Sequence, residues 1–530
     1  MSTPLNELRT SLPDQAIPAA GTPPFSWWEI WLLPGLIGLQ LLILRDPIPF
    51  RHSFWLDEIH SQLLVDDPDL SHAATGLALG VDYNPPTYFL LARLVMSLGL
   101  SPEISQRAAS FLCVVACCVC VYLVVRDRGT RTAATAAGLL IWSFDVVQSQ
   151  AFESRFYALW MAAAGLTSLC LYRATVSPAF GWRIGLMISS VVMCTVHYFG
   201  VIALGLIAAT YLLQITINRR GGFRVLIWMT PGLVLLLACI FTFYRGQRSA
   251  LSVPTWVSAV DWKSTWQFTR DLVPMVSMSI LVMLWLLLPR HKTADGFAAT
   301  SPAIPSAIGL LLMPICLISF SLLVQPAMIS RYGIVGIIGF AVCMGVMLRR
   351  LPTSCAAVFG ICLFLSGLQT LQSQIGRWHR LETQQAEMIA HLRKIDGGPL
   401  LLFESRHAMY PIVRYAPDLA PRVRFLALSD ANLRDFHSAT PFRIVERDVA
   451  LRIEQYYPGY QSFPFDELQT VPRAVLVAFR NRQGFGKQLE GFSVTRLQPQ
   501  IFEVVPLSQE NHVHQVQVSD AVATAPEESR

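Results

Sequence analysis

The residues that decide the fold run from Ile104 to Arg131 and read ISQRAASFLCVVACCVCVYLVVRDRGTR. Up to Val125 the run is predominantly apolar, and its length is close to the roughly 20 residues that a helix needs to cross the hydrocarbon core of a membrane. The run ends in the basic cluster Arg126-Asp127-Arg128-Gly129-Thr130-Arg131. A long apolar helix that stops at a short basic connector is typical of a multi-pass membrane protein.

The composition of the whole chain extends this interpretation. Of its 530 residues 53% are hydrophobic and only 14% are charged, and its mean hydropathy is +0.45, which is too apolar for an ordinary soluble enzyme. The formal net charge of +6 lies mostly in short Arg-rich clusters beside apolar runs, so it indicates membrane topology and not nucleic-acid binding. All eleven cysteines lie in apolar runs, so we expect no disulfide framework.

The same pattern recurs along the chain and predicts about eleven membrane-spanning helices. Under this assignment the Arg-rich connectors at 126–131, 218–224, 290–292 and 349–350 fall on one common side, which the positive-inside rule identifies as the cytoplasm. The candidate spans are residues 27–44, 104–125, 132–150, 156–173, 183–197, 199–217, 225–244, 273–289, 304–324, 332–348 and 355–371.

One apolar segment is excluded from this set. Residues 86–100 are apolar but carry Arg93, and about 15 residues are too few to cross the bilayer. If the segment crossed, every basic connector after it would move to the outer side, against the positive-inside rule. We therefore predict an interfacial helix within a long first external loop, residues 45–103.

The chain divides into four parts by composition. Residues 1–26 are polar and lack the pattern of a signal peptide, so they predict a flexible cytoplasmic tail. Residues 27–371 form the transmembrane domain. In residues 372–507 the apolar runs shorten to the length of strands, which predicts a small external α/β domain, and residues 508–530 are predicted to be disordered.

Charged and polar residues collect at the external ends of the predicted spans, where ionisable groups near a membrane tend to mark function. The acidic pair Asp57 and Glu58 follows an aromatic belt in the first external loop, although a helix N-terminus alone also favours acidic residues. Each of the others could be a snorkelling anchor, but the topology places all of them in one compartment. They are Asn84, Tyr88, Arg107, Glu153, Arg155, Tyr157, His197, Tyr198, Arg331 and Tyr332.

This set of side chains suits a site that handles an anionic group. Carboxylates can abstract a proton or bind a metal, while Arg155, Arg331 and His197 supply positive hydrogen-bond donors. A phosphate leaving group requires donors of this kind. The sequence therefore predicts a site at the outer membrane surface.

The order of these motifs resembles that of the family 39 glycosyltransferases, membrane enzymes of the GT-C fold that include protein O-mannosyltransferases and the aminoarabinose transferases of lipid A. The resemblance covers about residues 27–371 and lies in the order and spacing of several short motifs. These are Leu56-Asp57-Glu58, Asn84-Pro85-Pro86-Thr87-Tyr88, Arg107 with Ser110, Glu153-Ser154-Arg155-Phe156-Tyr157-Ala158-Leu159, His197-Tyr198 and Arg331-Tyr332.

The resemblance implies a multi-pass α-helical GT-C-like enzyme of the bacterial plasma (inner) membrane with a periplasmic C-terminal domain. Its donor would be a polyprenyl-phosphate sugar, its acceptor a lipid, glycan or protein on the external face, and its stereochemistry inverting. Asp57 matches the essential acidic residue of the family and would accept a proton from the acceptor hydroxyl or orient the acceptor through a metal. Glu58 would support it, and Arg155 and Arg331 would help bind the donor phosphate.

Two details of the resemblance concern metal binding. Asp57, Glu58 and Glu153 are adequate ligands for Mg²⁺ or Mn²⁺, with Asp57 and Glu153 as the candidates, but they serve equally well without a metal. The family usually has His-Pro-Pro where this chain has Asn84-Pro85-Pro86. Asn keeps the hydrogen bonding but not the metal-binding imidazole.

Two other classes of protein compete with a glycosyltransferase. A transporter or lipid flippase also has many spans and intramembrane charges, but such proteins tend to show repeated halves and ionisable residues near the bilayer midplane. Here no internal repeat is evident, and the charges lie at external helix ends, with Asp145 the nearest to an exception. A scaffold that binds a partner through its C-terminal domain is the weaker alternative.

Overall fold

The structure is a computed structural model, and it is dominated by α-helices. It describes residues 26–127, 129–177, 179–218, 222–249, 257, 260–272, 303–349, 351–396, 398–428, 441–477, 492–498 and 501–506. Both predicted tails and the predicted span 273–289 lie outside the described residues, apart from Ser26.

The helices of the first external loop and of the first half of the chain are numbered in chain order. They are α1 (Leu32–Leu44), α2 (Ile48–Arg51), α3 (Leu56–Asp66), α4 (Leu70–Ala78), α5 (Thr87–Met96), α6 (Pro102–Arg126), α7 (Arg131–Trp142), α8 (Asp145–Ala151), α9 (Tyr157–Val176), α10 (Phe180–Val196) and α11 (Gly200–Asn218).

The helices of the second half continue this numbering. They are α12 (Thr230–Cys239), α13 (Arg245–Ser249), α14 (Trp262–Leu272), α15 (Ala303–Leu311), α16 (Met313–Leu323), α17 (Gly336–Leu348), α18 (Thr353–Arg393), α19 (Arg406–Tyr415) and α20 (Pro441–Tyr456). The strands are β1 (Leu400–Phe403), β2 (Val423–Ala427), β3 (Ser462–Pro464), β4 (Ala474–Val477), β5 (Phe492–Gln498) and β6 (Ile501–Pro506).

Among the described residues, seven helical segments are long and apolar enough to cross a membrane, which confirms the prediction of a polytopic helical protein. They are Trp27–Leu44, Pro102–Arg126, Tyr157–Val176, Gly200–Ile217, Phe223–Ser249, Ala303–Leu323 and Thr353–Arg393. The predicted spans 183–197 and 332–348 correspond to the shorter apolar helices α10 and α17.

The predicted span 132–150 is not one continuous helix. The chain breaks after Trp142 and a new helix starts at Asp145, where a carboxylate favours the first turn. The side chain of Gln148 secures the break, since its amide donates to the carbonyl oxygens of Trp142 at 2.9 Å and of Gly367 at 2.8 Å. The segment is therefore two shorter helices packed against α18.

Helix α6, which contains residues 104–126 of the segment that decides the fold, is fixed at both ends. Ser101 caps its start by accepting from the amide of Ile104 at 3.4 Å, and Pro102 stands in its first turn, as is common for proline. Near the other end Arg126 donates to Glu29 at 2.7 Å. Glu29 also accepts from Tyr122 at 2.7 Å and from Arg131 at 2.8 Å, so this buried carboxylate ties the start of α1 to α6 and α7.

The segment predicted to lie outside the bilayer forms the helix α5 of 10 residues. At about 1.5 Å per residue it spans half of the hydrocarbon core or less. Together with α2, α3 and α4 it makes the first external loop a small helical layer between α1 and α6.

The longest helix, α18, has 41 residues. At about 1.5 Å per residue it is about 60 Å long, twice the thickness of a hydrocarbon core. The helix therefore continues past the predicted end of the last span at 371. Beyond that point the ring of Trp378 stacks on His52 with a centroid distance of 5.0 Å, and Glu382 accepts hydrogen bonds from the amide and hydroxyl of Ser53.

The strands of the described residues form one six-stranded sheet after α18, with the order β3-β2-β1-β4-β6-β5. The first four of these are parallel, whereas β6 pairs antiparallel with β4 and with β5. The chain leaves β1 into α19 and returns as β2 on one side, while β4 pairs with β1 on the other. This mixed sheet confirms the predicted small α/β region, and the domain boundaries stay a prediction.

Candidate active site

The two adjacent carboxylates at the start of α3 lie in different environments. The side chain of Glu58 is fully buried and accepts hydrogen bonds from the amide of Ser154 at 2.6 Å, from Arg107 at 2.8 Å and from the amide of Trp55 at 3.1 Å. The side chain of Asp57 is 24% exposed. Consecutive helical residues point about 100° apart, because a turn takes 3.6 residues, so only Asp57 faces the open side.

Arg107 lies on the buried side of the site, next to Glu58. Its guanidinium is fully buried, pairs with Glu58, and donates to the carbonyl oxygens of His52 and Ser53, the latter at 3.3 Å. Its carbon Cζ lies 5.0 Å from the centre of the Phe54 ring. These contacts join the first external loop to α6, so Arg107 holds the loop in place.

Arg331 is the partner of Asp57 on the open side. Its Nη2 atom donates to the Asp57 carboxylate at 3.2 Å, and its own side chain is 18% exposed. The guanidinium lies 5.8 Å from the ring centre of Trp55 and 5.5 Å from that of Tyr157. Aromatic faces attract cations at such distances, so the two rings fix the arginine over the carboxylate.

Arg155 lies beneath Asp57 and is buried. Its Nη1 atom is 2.7 Å from the backbone oxygen of Asp57, 2.6 Å from the hydroxyl of Ser61 and 2.8 Å from the carboxylate of Asp82. Its Nε atom is buried and has no hydrogen-bond partner in the described part of the chain. The Nη1 atom of the guanidinium is thus held by three contacts, while the N–H of Nε stays available as a hydrogen-bond donor.

Asp82 is a site residue that the sequence analysis did not select. It is 4% exposed, pairs with Arg155, and accepts from the side chain of Asn84 and from the amide of Tyr83, both at 2.6 Å. The signal was an acidic residue two positions before the Asn84-Pro85-Pro86 motif. Asn84 therefore positions Asp82 and not the carboxylate of Asp57.

The charged groups around Asp57 determine its protonation state. Burial disfavours the carboxylate, but the positive charges of Arg155 and Arg331 outweigh that effect, and the pKa of Asp57 lies below its usual value. Asp57 is therefore a carboxylate at neutral pH and can accept a proton or a hydrogen bond.

Glu153 behaves in the opposite way. Burial raises the pKa of its carboxyl group, hydrogen bonds from Ser149 and Gln150 at 2.7 and 2.9 Å oppose the rise, and the negative charge of Glu58 adds to it. In the described residues no three His, Cys, Asp or Glu side chains gather into a metal-binding group. The candidate metal ligands Asp57 and Glu153 thus stay a prediction.

His197 belongs to an aromatic wall beside Arg331. Its ring stacks on Trp160 at 4.6 Å between centroids and lies 5.9 Å from Tyr157 and 5.3 Å from Tyr332. Its Nδ1 atom accepts from the amide of Phe199 at 3.0 Å. The role of His197 as a positive donor stays a prediction.

Tyr88 and Tyr198 lie at the edges of the site. The hydroxyl of Tyr88 donates to Gln106 at 3.4 Å, and that of Tyr198 donates to Gln247 at 2.9 Å. Gln247 in turn donates to the backbone oxygen of Asn84 at 3.2 Å. These two tyrosines support the first external loop and do not contact Asp57 directly.

An apolar cleft opens beside Arg155 between α5 and α6. Its walls are mostly apolar side chains, and Arg155 and Gln106 provide polar groups at its lining. The lining residues are Tyr88, Leu91, Ala92, Val95, Gln106, Ala109, Ser110, Cys113, Arg155 and Leu159. Apolar side chains and one arginine thus line the same cleft.

The C-terminal sheet region also reaches the site, which the sequence analysis did not predict. Arg406, in the first turn of α19, lies with Nη1 3.5 Å from Nε2 of His60. The hydroxyl of Tyr415 accepts from the amide of Phe54 at 2.8 Å. Since β1 and α19 follow the long α18 helix in sequence, no local motif indicates this contact.

The fold and the site define the class of protein: a multi-pass membrane protein of the GT-C fold, with a charged site at the loop that joins α1 to α6. Two solved structures similar to it are crystal structures of ArnT from Cupriavidus metallidurans, one bound to undecaprenyl phosphate and one in the apo state. Each is 13% identical, covers 89% of this chain and has a TM-score of 0.57; the matches cover 97% and 98% of the ArnT chains.

The likeness to ArnT concerns the fold. No protein-family profile matches the sequence, and no curated protein matches it. The GT-C fold expected from the family resemblance is confirmed, while membership of family 39 stays a prediction.

Proposed function

We propose that this protein is a membrane glycosyltransferase that moves a sugar from a polyprenyl-phosphate donor to an acceptor hydroxyl, with inversion at the anomeric carbon. One observation carries the proposal: Asp57 is a partly exposed carboxylate that pairs with Arg331, with Arg155 bound to its backbone oxygen, whereas its neighbour Glu58 is closed off by three hydrogen bonds. The proposed base, Asp57, and the arginines proposed to bind phosphate, Arg155 and Arg331, thus lie beside each other at one solvent-accessible position.

The donor site is proposed at the apolar cleft. A polyprenyl chain would lie against Leu91, Val95 and Ala109, which line the cleft, and its phosphate would meet the Nε atom of Arg155. Arginine recognises phosphate well because its planar donors match two oxygens at once. The likeness in fold to ArnT, one structure of which holds undecaprenyl phosphate, supports this assignment.

The proposed reaction is a single displacement. The acceptor oxygen forms a bond to the anomeric carbon, the bond from that carbon to the phosphate oxygen breaks, and the acceptor proton passes to Asp57. The leaving phosphate gains negative charge, which Arg155 and Arg331 stabilise because they are already fixed in place. Glu58 and Arg107 hold the loop that positions Asp57 and contact no substrate.

The proposed location is the bacterial plasma membrane, with the N-terminus in the cytoplasm and both Asp57 and the sheet region on the periplasmic face. The positive-inside rule supports this orientation. It places the site where a lipid, glycan or protein of the cell envelope can serve as acceptor. Nucleic acid has no part in the proposal.

The test compares envelope glycans and lipids by mass spectrometry in a strain that lacks the gene and carries one of three versions of it. We expect the wild type to restore a missing sugar, Asp57→Asn to fail, and Asp145→Asn to restore it. Asp145 is the matched control because its side chain is 61% exposed and pairs with Arg377, away from Asp57.

Loss of a proton acceptor costs roughly 10²- to 10⁴-fold in rate, so Asp57→Asn protein should be inserted at the normal level but inactive. Normal sugar content with Asp57→Asn would refute its role as the base. If the purified protein instead moved substrate across proteoliposomes without transferring sugar, the chain would be a transporter or flippase.

A further inference from the structure

In the described part of the chain, the buried arginines pair directly with carboxylates, with one exception. Arg107 pairs with Glu58 at 2.8 Å, Arg126 with Glu29 at 2.7 Å and Arg155 with Asp82 at 2.8 Å. Arg406 is 4% exposed, yet within the described ranges it has no carboxylate within ion-pair distance. A buried cation that lacks a direct carboxylate partner is costly, so the exception points to an anionic ligand as the missing partner.

The surroundings of Arg406 offer hydrogen bonds, while the charge of Glu446 acts on the guanidinium from beyond ion-pair distance. Its Nη1 atom donates to Nε2 of His60 at 3.5 Å, which requires a neutral imidazole there, and burial lowers the pKa of His60 well below its usual value. Glu446 accepts from the backbone amide of Arg406 at 2.9 Å. The Nε atom of Arg406 and the hydroxyl of Tyr83 are buried and lack any partner in the described part of the chain.

Arg406 lies next to the proposed base. His60, which it contacts, stands one helical turn after Asp57 on α3, and residues three apart share a helix face about 5–6 Å from each other. An anionic group bound at Arg406 would therefore sit one turn away from the point where the acceptor hydroxyl is activated.

The sheet topology independently marks the same position. The chain leaves β1 towards β2 on one side, while β4 pairs with β1 on the other. In open α/β sheets, ligands bind outside the carboxyl ends of the strands where the strand order reverses. Arg406 follows β1 at that end, in the first turn of α19.

We propose that Arg406, with Tyr83 and His60, forms an anion subsite through which the C-terminal region recognises a phosphate or carboxylate group of the acceptor. The inference rests on the proposed function, because it takes Asp57 as the base. It assigns the sheet region a direct part in substrate recognition, separate from the donor phosphate at Arg155. The acceptor is thereby restricted to molecules that carry a negative group close to the reacting hydroxyl.

The test uses the full-length protein in nanodiscs saturated with undecaprenyl phosphate, so that the donor position is occupied. Inorganic phosphate and acetate are then titrated, and binding is measured by calorimetry. We expect the wild type to bind at least one anion, Arg406→Met to bind it at least tenfold more weakly, and Arg406→Lys to recover part of the loss. Arg414→Met is the matched control, since Arg414 is on the same helix but pairs with Asp66, and it should bind like the wild type.

The outcomes separate the two proposals. A response to phosphate assigns a phosphorylated acceptor, and a response to acetate assigns a carboxylate; either supports the subsite. No anion binding by the wild type, or equal binding by Arg406→Met, would overturn it. If undecaprenyl phosphate itself does not bind, the proposed function fails, and the same titration without lipid still tests Arg406.

Discussion

The two ends of helix α6 carry similar chemistry but differ in what they leave open. Near one end Arg126, Arg131 and Tyr122 all bind Glu29, and the carboxylate is completely buried. Near the other end Arg107 binds Glu58 in the same closed manner, but a second layer follows, with Asp57 and Arg331 partly exposed. A fully buried arginine–carboxylate pair at a helix end therefore indicates a contact that only stabilises the structure, here called a structural lock. A second, partly exposed pair beside it indicates a functional site.

The largest expected effect is on Glu58. Glu58→Ala should remove the partner of Arg107 and leave an uncompensated buried charge, at a cost of about 3–5 kcal/mol. We expect a much lower midpoint of thermal unfolding in detergent and loss of sugar transfer together. If the variant unfolds like the wild type, Glu58 does not lock the loop.

The matching change at the other end of α6 sharpens the comparison. Glu29→Ala should also lower the unfolding midpoint, because Arg126 and Arg131 lose their shared partner. The fraction that stays folded should transfer sugar at the wild-type rate, since Glu29 contacts no site residue. A folded but inactive Glu29→Ala protein would contradict the distinction between lock and site.

A moderate effect is expected on the pH dependence of transfer. The positive charge of Arg331 helps to hold the pKa of Asp57 below its usual value, so the wild type keeps Asp57 ionised as the pH falls through the ordinary carboxyl range. Arg331→Gln should raise that pKa and move the acid limb of the kcat/KM profile to higher pH, in addition to slowing the reaction. An unmoved acid limb would show that Arg331 does not act on Asp57.

The smallest effect is expected at the exposed pair of Arg393 and Asp418, whose side chains are both 51% exposed. Surface ion pairs contribute little, because water and salt screen them. Arg393→Gln should leave both the unfolding midpoint and the transfer rate unchanged. A clear loss of either would mean that this end of α18 matters more than its exposure suggests.

Much of this arrangement follows from local sequence patterns, and the rest depends on contacts between distant residues. The apolar runs predict the helices, and the short length of residues 86–100 excludes them as a span. The motifs around Asp57 and Arg155 predict which loops meet. The difference in exposure between Asp57 and Glu58 depends on the rotation of helix α3 about its axis and on the position of Ser154. Neither can be predicted from the two neighbouring residues in the sequence.

Two other features could not be predicted from the sequence, each for its own reason. Helix α18 continues past residue 371 because good helix formers follow the apolar run, so hydropathy marks an end of the span but not of the helix. Arg406 reaches His60 across 346 positions of chain, and only the packing of the sheet region on α3 brings them together.

The length of α18 has a further consequence, which concerns height above the membrane. From Leu371 to Glu382, which accepts hydrogen bonds from Ser53, a rigid helix rises about 16 Å at 1.5 Å per residue. The headgroup layer on one side of a bilayer is about 5–8 Å deep. With the apolar part of α18 in the bilayer, the helix acts as a spacer that keeps the loop between α1 and α6 at a set height above the lipid surface.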